Sequence, residues 1–156
     1  MSILLRLRLL LVALWLGLIV TLAAVAAPTV FAVLERAVAG QVAGRMFRIE
    51  ATVGLVAAIL LVLIERRLGA GADRDRAWVP TATLWLVLGA MFCTVLGYWA
   101  LQPMMETARD VGDRARFGLL HGISSMIFAV KGMLLLALLW RISLHAESSG
   151  PGRTQS

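Results

Sequence analysis

Cysteine is almost missing from this chain. Cys93 stands alone inside a hydrophobic run, so no intrachain disulfide can form and no redox compartment follows from it. Its small side chain is read as packing. Histidine is nearly as scarce: one histidine and one cysteine within the apolar runs fall short of a zinc site, which wants four ligands or three plus water. A haem iron would find only His121 there as an axial ligand. No glycine-rich nucleotide loop, serine nucleophile elbow or pair of catalytic carboxylates is present. The sequence therefore points to no cofactor, no metal and no particular reaction.

Charge is also missing, over long stretches. Leu9 to Val33, Ala51 to Ile64 and Ala77 to Met105 carry none, and Phe117 to Trp140 carries only Lys131. What fills these stretches is apolar, and 60% of the chain is hydrophobic, above the roughly 45–50% of soluble proteins. Three of the runs exceed the ~20 residues that cross a ~30 Å hydrocarbon core. The second does so once its helix is carried back through Met46 and Phe47, which sets Arg48 and Glu50 in its first turns. The expected class is all-α, an integral membrane protein built as an antiparallel four-helix transmembrane bundle. Its membrane domain covers residues 1–142, with spans near 7–33, 46–65, 78–101 and 117–140, and a disordered tail follows at 143–156.

The net charge of +6 would suggest nucleic acid in a soluble protein. Here the arginines stand at the ends of hydrophobic runs, where they mark interfaces with the bilayer, so lipid is the expected partner and nucleic acid is not. Four spans put both termini on one side. That side carries eight cations, Arg6, Arg8, Arg66, Arg67, Arg74, Arg76, Arg141 and Arg153, against six in the other two connections. The positive-inside rule then places the termini in the cytoplasm and the protein in the cell membrane. Arg6 and Arg8 followed by an apolar run and Ala24-Val25-Ala26-Ala27 also look like a secretory signal, but the run is longer than a signal core and continues past Pro28. A retained first helix fits better.

In the connection from Glu35 to Glu50, Val38, Val42, Met46 and Ile49 recur at helical spacing, which predicts an interfacial turn of helix leading into span two. Gly40 and Gly44 form a Gly-x-x-x-Gly pair, a candidate close contact for a homo-oligomer or a partner subunit, or simple glycine frequency. Glu65 to Arg76 reads as a solvated loop. Trp78 and Trp99 near the ends of span three make an aromatic belt.

The last run has a polar face. At 100° per residue His121, Ser124, Ser125, Phe128, Lys131, Gly132 and Leu135 share an arc of about 120°. The first and third connections lie on one side of the bundle, and Glu50, Arg48, His121, Tyr98, Gln102 and Glu106 are brought to that end. A Glu50–His121 hydrogen bond is geometrically possible. Ionisable groups in membrane segments raise a functional hypothesis, and the competing reading is that they only lock helices together. Lys131, ten residues from Arg141, leans toward the membrane middle and Ser124. No carboxylate is expected at its depth, Thr21 and Thr94 being the nearest polar partners. Replacement by Met is therefore expected to leave stability equal or raised.

Several pieces carry a resemblance: Ala27-Pro28-x-x-Phe31, Ala39-Gly40-x-x-Ala43-Gly44-x-x-Phe47, Trp99-x-Leu101-x-Pro103-x-Met105 and Phe117-x-x-Leu120-His121-Gly122-x-Ser124-Ser125. With these the chain resembles the transmembrane protein 205-like family of four-helix membrane domains. The resemblance implies a four-span membrane protein and supplies no reaction; an animal relative is linked to platinum-drug resistance and vesicle trafficking. The chain departs from the pattern at Phe128, where an Asn is expected after the serine pair. Three functional readings follow. The first is small-solute, ion or metal handling or tolerance at a polar vestibule around His121, the second a non-catalytic scaffold or accessory subunit. The third is a haem- or quinone-binding oxidoreductase.

Overall fold

The computed structural model describes residues 3–70 and 81–148. Within them the chain is all-helical: α1 is Ile3–Val33, α2 Arg36–Ala70, α3 Ala82–Asp110 and α4 Arg114–Ser148. All four are long and apolar enough to cross a membrane. Trp78, Arg74 and Arg76 lie outside the described residues, as does the chain from 149 onward.

Local chemistry sets the helix ends. Leu34 turns extended (φ −114°, ψ 153°) and ends α1. The Ala39 amide donates to the Glu35 carbonyl at 2.8 Å as α2 begins. Thr81 caps α3, its hydroxyl oxygen accepting from the Leu84 amide at 3.2 Å. At the other end of α3, Gly112 takes φ +73°, a conformation that favours glycine. Its amide donates to Arg109 and the next amide, of Asp113, to Ala108, which is the Schellman pattern. Asp113 then caps α4 through the Arg116 amide at 2.9 Å.

Pro28 and Pro103 lie inside α1 and α3. Proline has no amide proton and its ring excludes the carbonyl four residues back. Each helix relaxes just upstream by widening to a π-helical turn, Leu22–Ala26 in α1 and Leu96–Leu101 in α3. Both π turns fall toward the end of the bundle that holds the α1–α2 and α3–α4 turns. The two proline-free helices, α2 and α4, are continuous over 35 residues each.

α1 packs on α2 and α4, and α3 packs on the same two, so the helices stand in a square with α2 and α4 on one diagonal. The main core gathers Val12, Trp15 and Ile19 of α1, Ala57, Ala58 and Leu61 of α2, Val87 and Ala90 of α3, and Leu135, Leu138 and Ile142 of α4. A smaller cluster of Leu101, Met105, Ala108 and Leu120 closes the α3–α4 corner. Outward the bundle exposes Leu14, Trp85, Phe92, Met126, Met133 and Trp140. An apolar girdle of that extent needs a bilayer around it.

Three expectations change. Arg36 to Glu50 is part of one unbroken helix with span two, so α2 begins at Arg36, ten residues before the expected start at 46. The residues from Glu65 to Ala70, expected as loop, continue the same helix. At the chain end, α4 runs through Ser148 rather than giving way after residue 142.

Candidate functional site

The early start of α2 decides the chemistry of the bundle interior. Glu50 is fourteen residues into α2, about 21 Å along it, and Lys131 seventeen residues into α4, about 25 Å. Because the two helices run parallel across the diagonal, the carboxylate and the ammonium meet at one level. Lys131 Nζ donates to Glu50 Oε2 at 2.7 Å and to Oε1 at 2.9 Å. Both residues are buried, Glu50 2% exposed and Lys131 3%. The expectation that no carboxylate lies at the depth of Lys131 is thus corrected. That expectation started span two at Met46, ten residues after α2 begins, which left Glu50 some 15 Å too shallow.

Two aromatic groups complete the cage. The Trp15 indole N–H of α1 donates to Glu50 Oε1 at 3.1 Å. The Lys131 ammonium lies 4.6 Å from the centre of the Phe128 ring. Phe128 in turn meets Phe47 of α2 edge to face, centroids 5.3 Å apart. Phe47 and Glu50, like Phe128 and Lys131, are three residues apart and so share a face of their helix. The aromatic pair therefore lies one turn from the ion pair, on the side of the α1–α2 and α3–α4 turns. On the opposite side the main core continues through Leu135, Leu138 and Ile142, eleven residues or about 16 Å of apolar packing.

Gly54 makes room for this arrangement. A Cβ there would fall 2.6 Å from Trp15 Nε1, so only glycine lets the indole lie across α2 and reach Glu50. Neither Trp15 nor Gly54 stands out in the sequence by pattern. A tryptophan in the middle of an apolar run is nonetheless a signal, because its N–H needs an acceptor when buried away from an interface.

The other expected site residues do not join the pair. His121 is exposed, with its ring stacked on Phe117 at 6.0 Å, and Arg109 lies over the same Phe117 ring at 5.1 Å. Glu50 bonds to Trp15 and Lys131, so the Glu50–His121 bond does not form. Ser125 is exposed and donates back to the His121 carbonyl at 2.9 Å, while Ser124 is half-buried. Arg48 and Glu106 are exposed, and Tyr98 is half-buried against Trp99 at 4.9 Å. The reason is angular. Lys131, Leu135 and Leu138 define the inward direction of α4, and at 100° per residue His121 and Ser125 point roughly 70° and 110° away from it. Thr94, once a candidate partner of Lys131, donates to its own Ala90 carbonyl at 2.9 Å, and Thr21 is exposed. Gly40 and Gly44 face Arg109 and Gln102 of the same chain.

A second ion pair joins α1 and α2 at the far end, Arg8 Nη1 to Glu65 Oε1 at 2.8 Å. Among the described residues no three His, Cys, Asp or Glu side chains gather.

Residues 10–114 match the family described as Domain of unknown function (DUF4149). The match covers most of the chain, and the protein belongs to that family. Trp15, Phe47, Glu50 and Gly54 fall within the matched segment, whereas Lys131 and His121 lie beyond it. No curated protein and no solved structure significantly matches the chain.

Proposed function

We propose that this member of the DUF4149 family handles protons or small cations in the cell membrane, with the Glu50–Lys131 pair as its exchange centre. The observation that carries the reading is the position of the pair: both charges are buried, and Lys131 stands ten residues, about 15 Å, from His121 on one side and Arg141 on the other. Removing two ions from water costs several kcal/mol each, and apolar residues of like volume would hold a bundle at least as well. An intramembrane ionisable pair is thus a functional feature by default. Its barriers are unequal. Toward the α1–α2 turn the Phe47–Phe128 contact lies one turn from the pair, and Tyr98, Gln102 and Ser124 on that side of the bundle are half-buried. Toward the termini lies the full apolar core. Exchange is assigned to the aromatic side, a proton arriving on Glu50 as the Lys131 contact loosens. The transmembrane protein 205-like likeness and the cytoplasmic termini belong to this reading, as does a role in tolerance of toxic compounds. The reading is framed for protons and small cations because the buried pair carries it; among the described residues no cluster of ligands speaks for metal handling instead.

The second reading is a scaffold or accessory subunit. It is favoured by the closure of the pair: Glu50 accepts from Lys131 and Trp15, and Phe128 covers the ammonium. Proteoliposomes enclosing a pH-sensitive dye separate the two under an imposed potassium diffusion potential. We expect proton flux above that of empty liposomes, faster in Phe128→Ala and abolished in the neutral Glu50→Leu/Lys131→Met double variant. Flux equal to empty liposomes in the unaltered protein would leave the scaffold.

A further inference from the structure

At the end of the bundle that holds the N-terminus, α2 is flanked by two grooves. One, of about 180 Å³, runs between α1 and α2 and is lined by Leu4, Leu7, Leu11, Leu60, Leu63 and Ile64, with Arg67 among its walls. The other, of about 240 Å³, lies between α2 and α3, where Val62, Leu84 and Leu88 line it together with Arg66. Two consecutive arginines point about 100° apart on a helix, so each serves a different groove. The first groove extends from Leu4 to Leu11, about 10 Å along α1, and Arg67 marks its outer end. Both thus have an apolar trough running inward from a cation at the level where lipid headgroups begin.

The acid beside them does not cancel this charge. Glu65 is engaged by Arg8 at 2.8 Å, and both side chains are largely buried. Arg66 and Arg67 are exposed and form no ion pair among the described residues. We propose that each groove seats one anionic phospholipid, an acyl chain along the leucines and the phosphate on Arg67 or Arg66. A zwitterionic lipid fits the trough equally well but brings its own cation to the arginine, so selectivity rests on headgroup charge. The proposal is independent of the proton-handling reading, because neither groove touches Glu50 or Lys131.

Native mass spectrometry of the full chain, delipidated in detergent and titrated with phosphatidylglycerol or phosphatidylcholine of identical chains, tests it. We expect up to two phosphatidylglycerol molecules retained, with affinity about fivefold above phosphatidylcholine for each arginine engaged. Arg67→Gln and Arg66→Gln should each remove the preference at one site. Leu60→Phe should remove one bound lipid through the α1–α2 groove with the charges untouched. Glycerol phosphate, a headgroup without chains, should not compete. Equal retention of the two lipids, indifference to both arginine variants, or competition by glycerol phosphate would each overturn the proposal. Loss on arginine substitution with no effect of Leu60→Phe would overturn the groove and leave only surface charge.

Discussion

Two ion pairs of this bundle, Arg8–Glu65 and Glu50–Lys131, have nearly the same length and different surroundings. Arg8–Glu65 joins neighbouring helices near the end of the bundle, its side chains 11% and 8% exposed against 4% and 2% for Lys131 and Glu50. Glu50–Lys131 joins helices on the diagonal at mid-height and is enclosed by Trp15, Phe128 and the core. The first fastens two elements that already touch along their length. The second sets the level of two helices that meet only across the interior, and both of its partners are buried. Distance alone would rank them equal; the surroundings decide which one can be broken.

The largest effect expected is therefore from Lys131→Met. It strands the Glu50 carboxylate with the single Trp15 donor, and breaking a buried pair from one side costs about 3–5 kcal/mol. Unfolding in a mixed-micelle denaturant titration should show that loss. Glu50→Leu added to Lys131→Met should recover most of it, and a double variant no more stable than the single would mean that the pair is not coupled. This reverses the outcome expected from sequence, because the buried acceptor is present.

Gly54→Ala comes next. The new methyl displaces the Trp15 indole from Glu50, and overpacking of this kind costs about 1–3 kcal/mol. Tryptophan fluorescence should change with it; an unaltered spectrum would mean that the indole does not rest on α2. Arg8→Ala should cost less than Lys131→Met, about 1–2 kcal/mol for a charged hydrogen bond at a part-buried site, and less again if Glu65 finds water, which would widen the contrast between the pairs. An equal or greater loss would erase the distinction drawn here. His121→Ala is expected to leave thermal stability in detergent unchanged and, on the proton-flux assay, to matter no more than Cys93→Ala. A large loss of flux in His121→Ala alone would return the exposed end of α4 to the candidate site.

Much of the bundle is legible before any folding is considered. Runs such as Leu9 to Val33 and Ala77 to Met105 have no charge and can be solvated only by lipid, which fixes helix and membrane together. Lys131 is conspicuous for the same reason. The candidate site was legible only in part. Glu50 and Lys131 both stand out, but depth counted from the apolar runs sets Glu50 level with His121, because hydropathy locates where a chain is apolar and not where its helix begins. The sequence Arg36 to Arg48 is amphipathic enough to read as a surface turn, and continuous α2 carries it coaxially into the span.

Composition and periodicity determined the class, the number of long apolar helices and the presence of an ion inside the bundle, since each follows from what single residues do in hydrocarbon. Only the tertiary structure decided that Glu50 faces Lys131 across a diagonal, that Gly54 admits Trp15 to the same carboxylate, and that His121 turns away from the pair. Those are matters of axial offset and rotation between helices far apart in the chain, set by packing at Gly54, Phe47 and Phe128, and no local pattern encodes them.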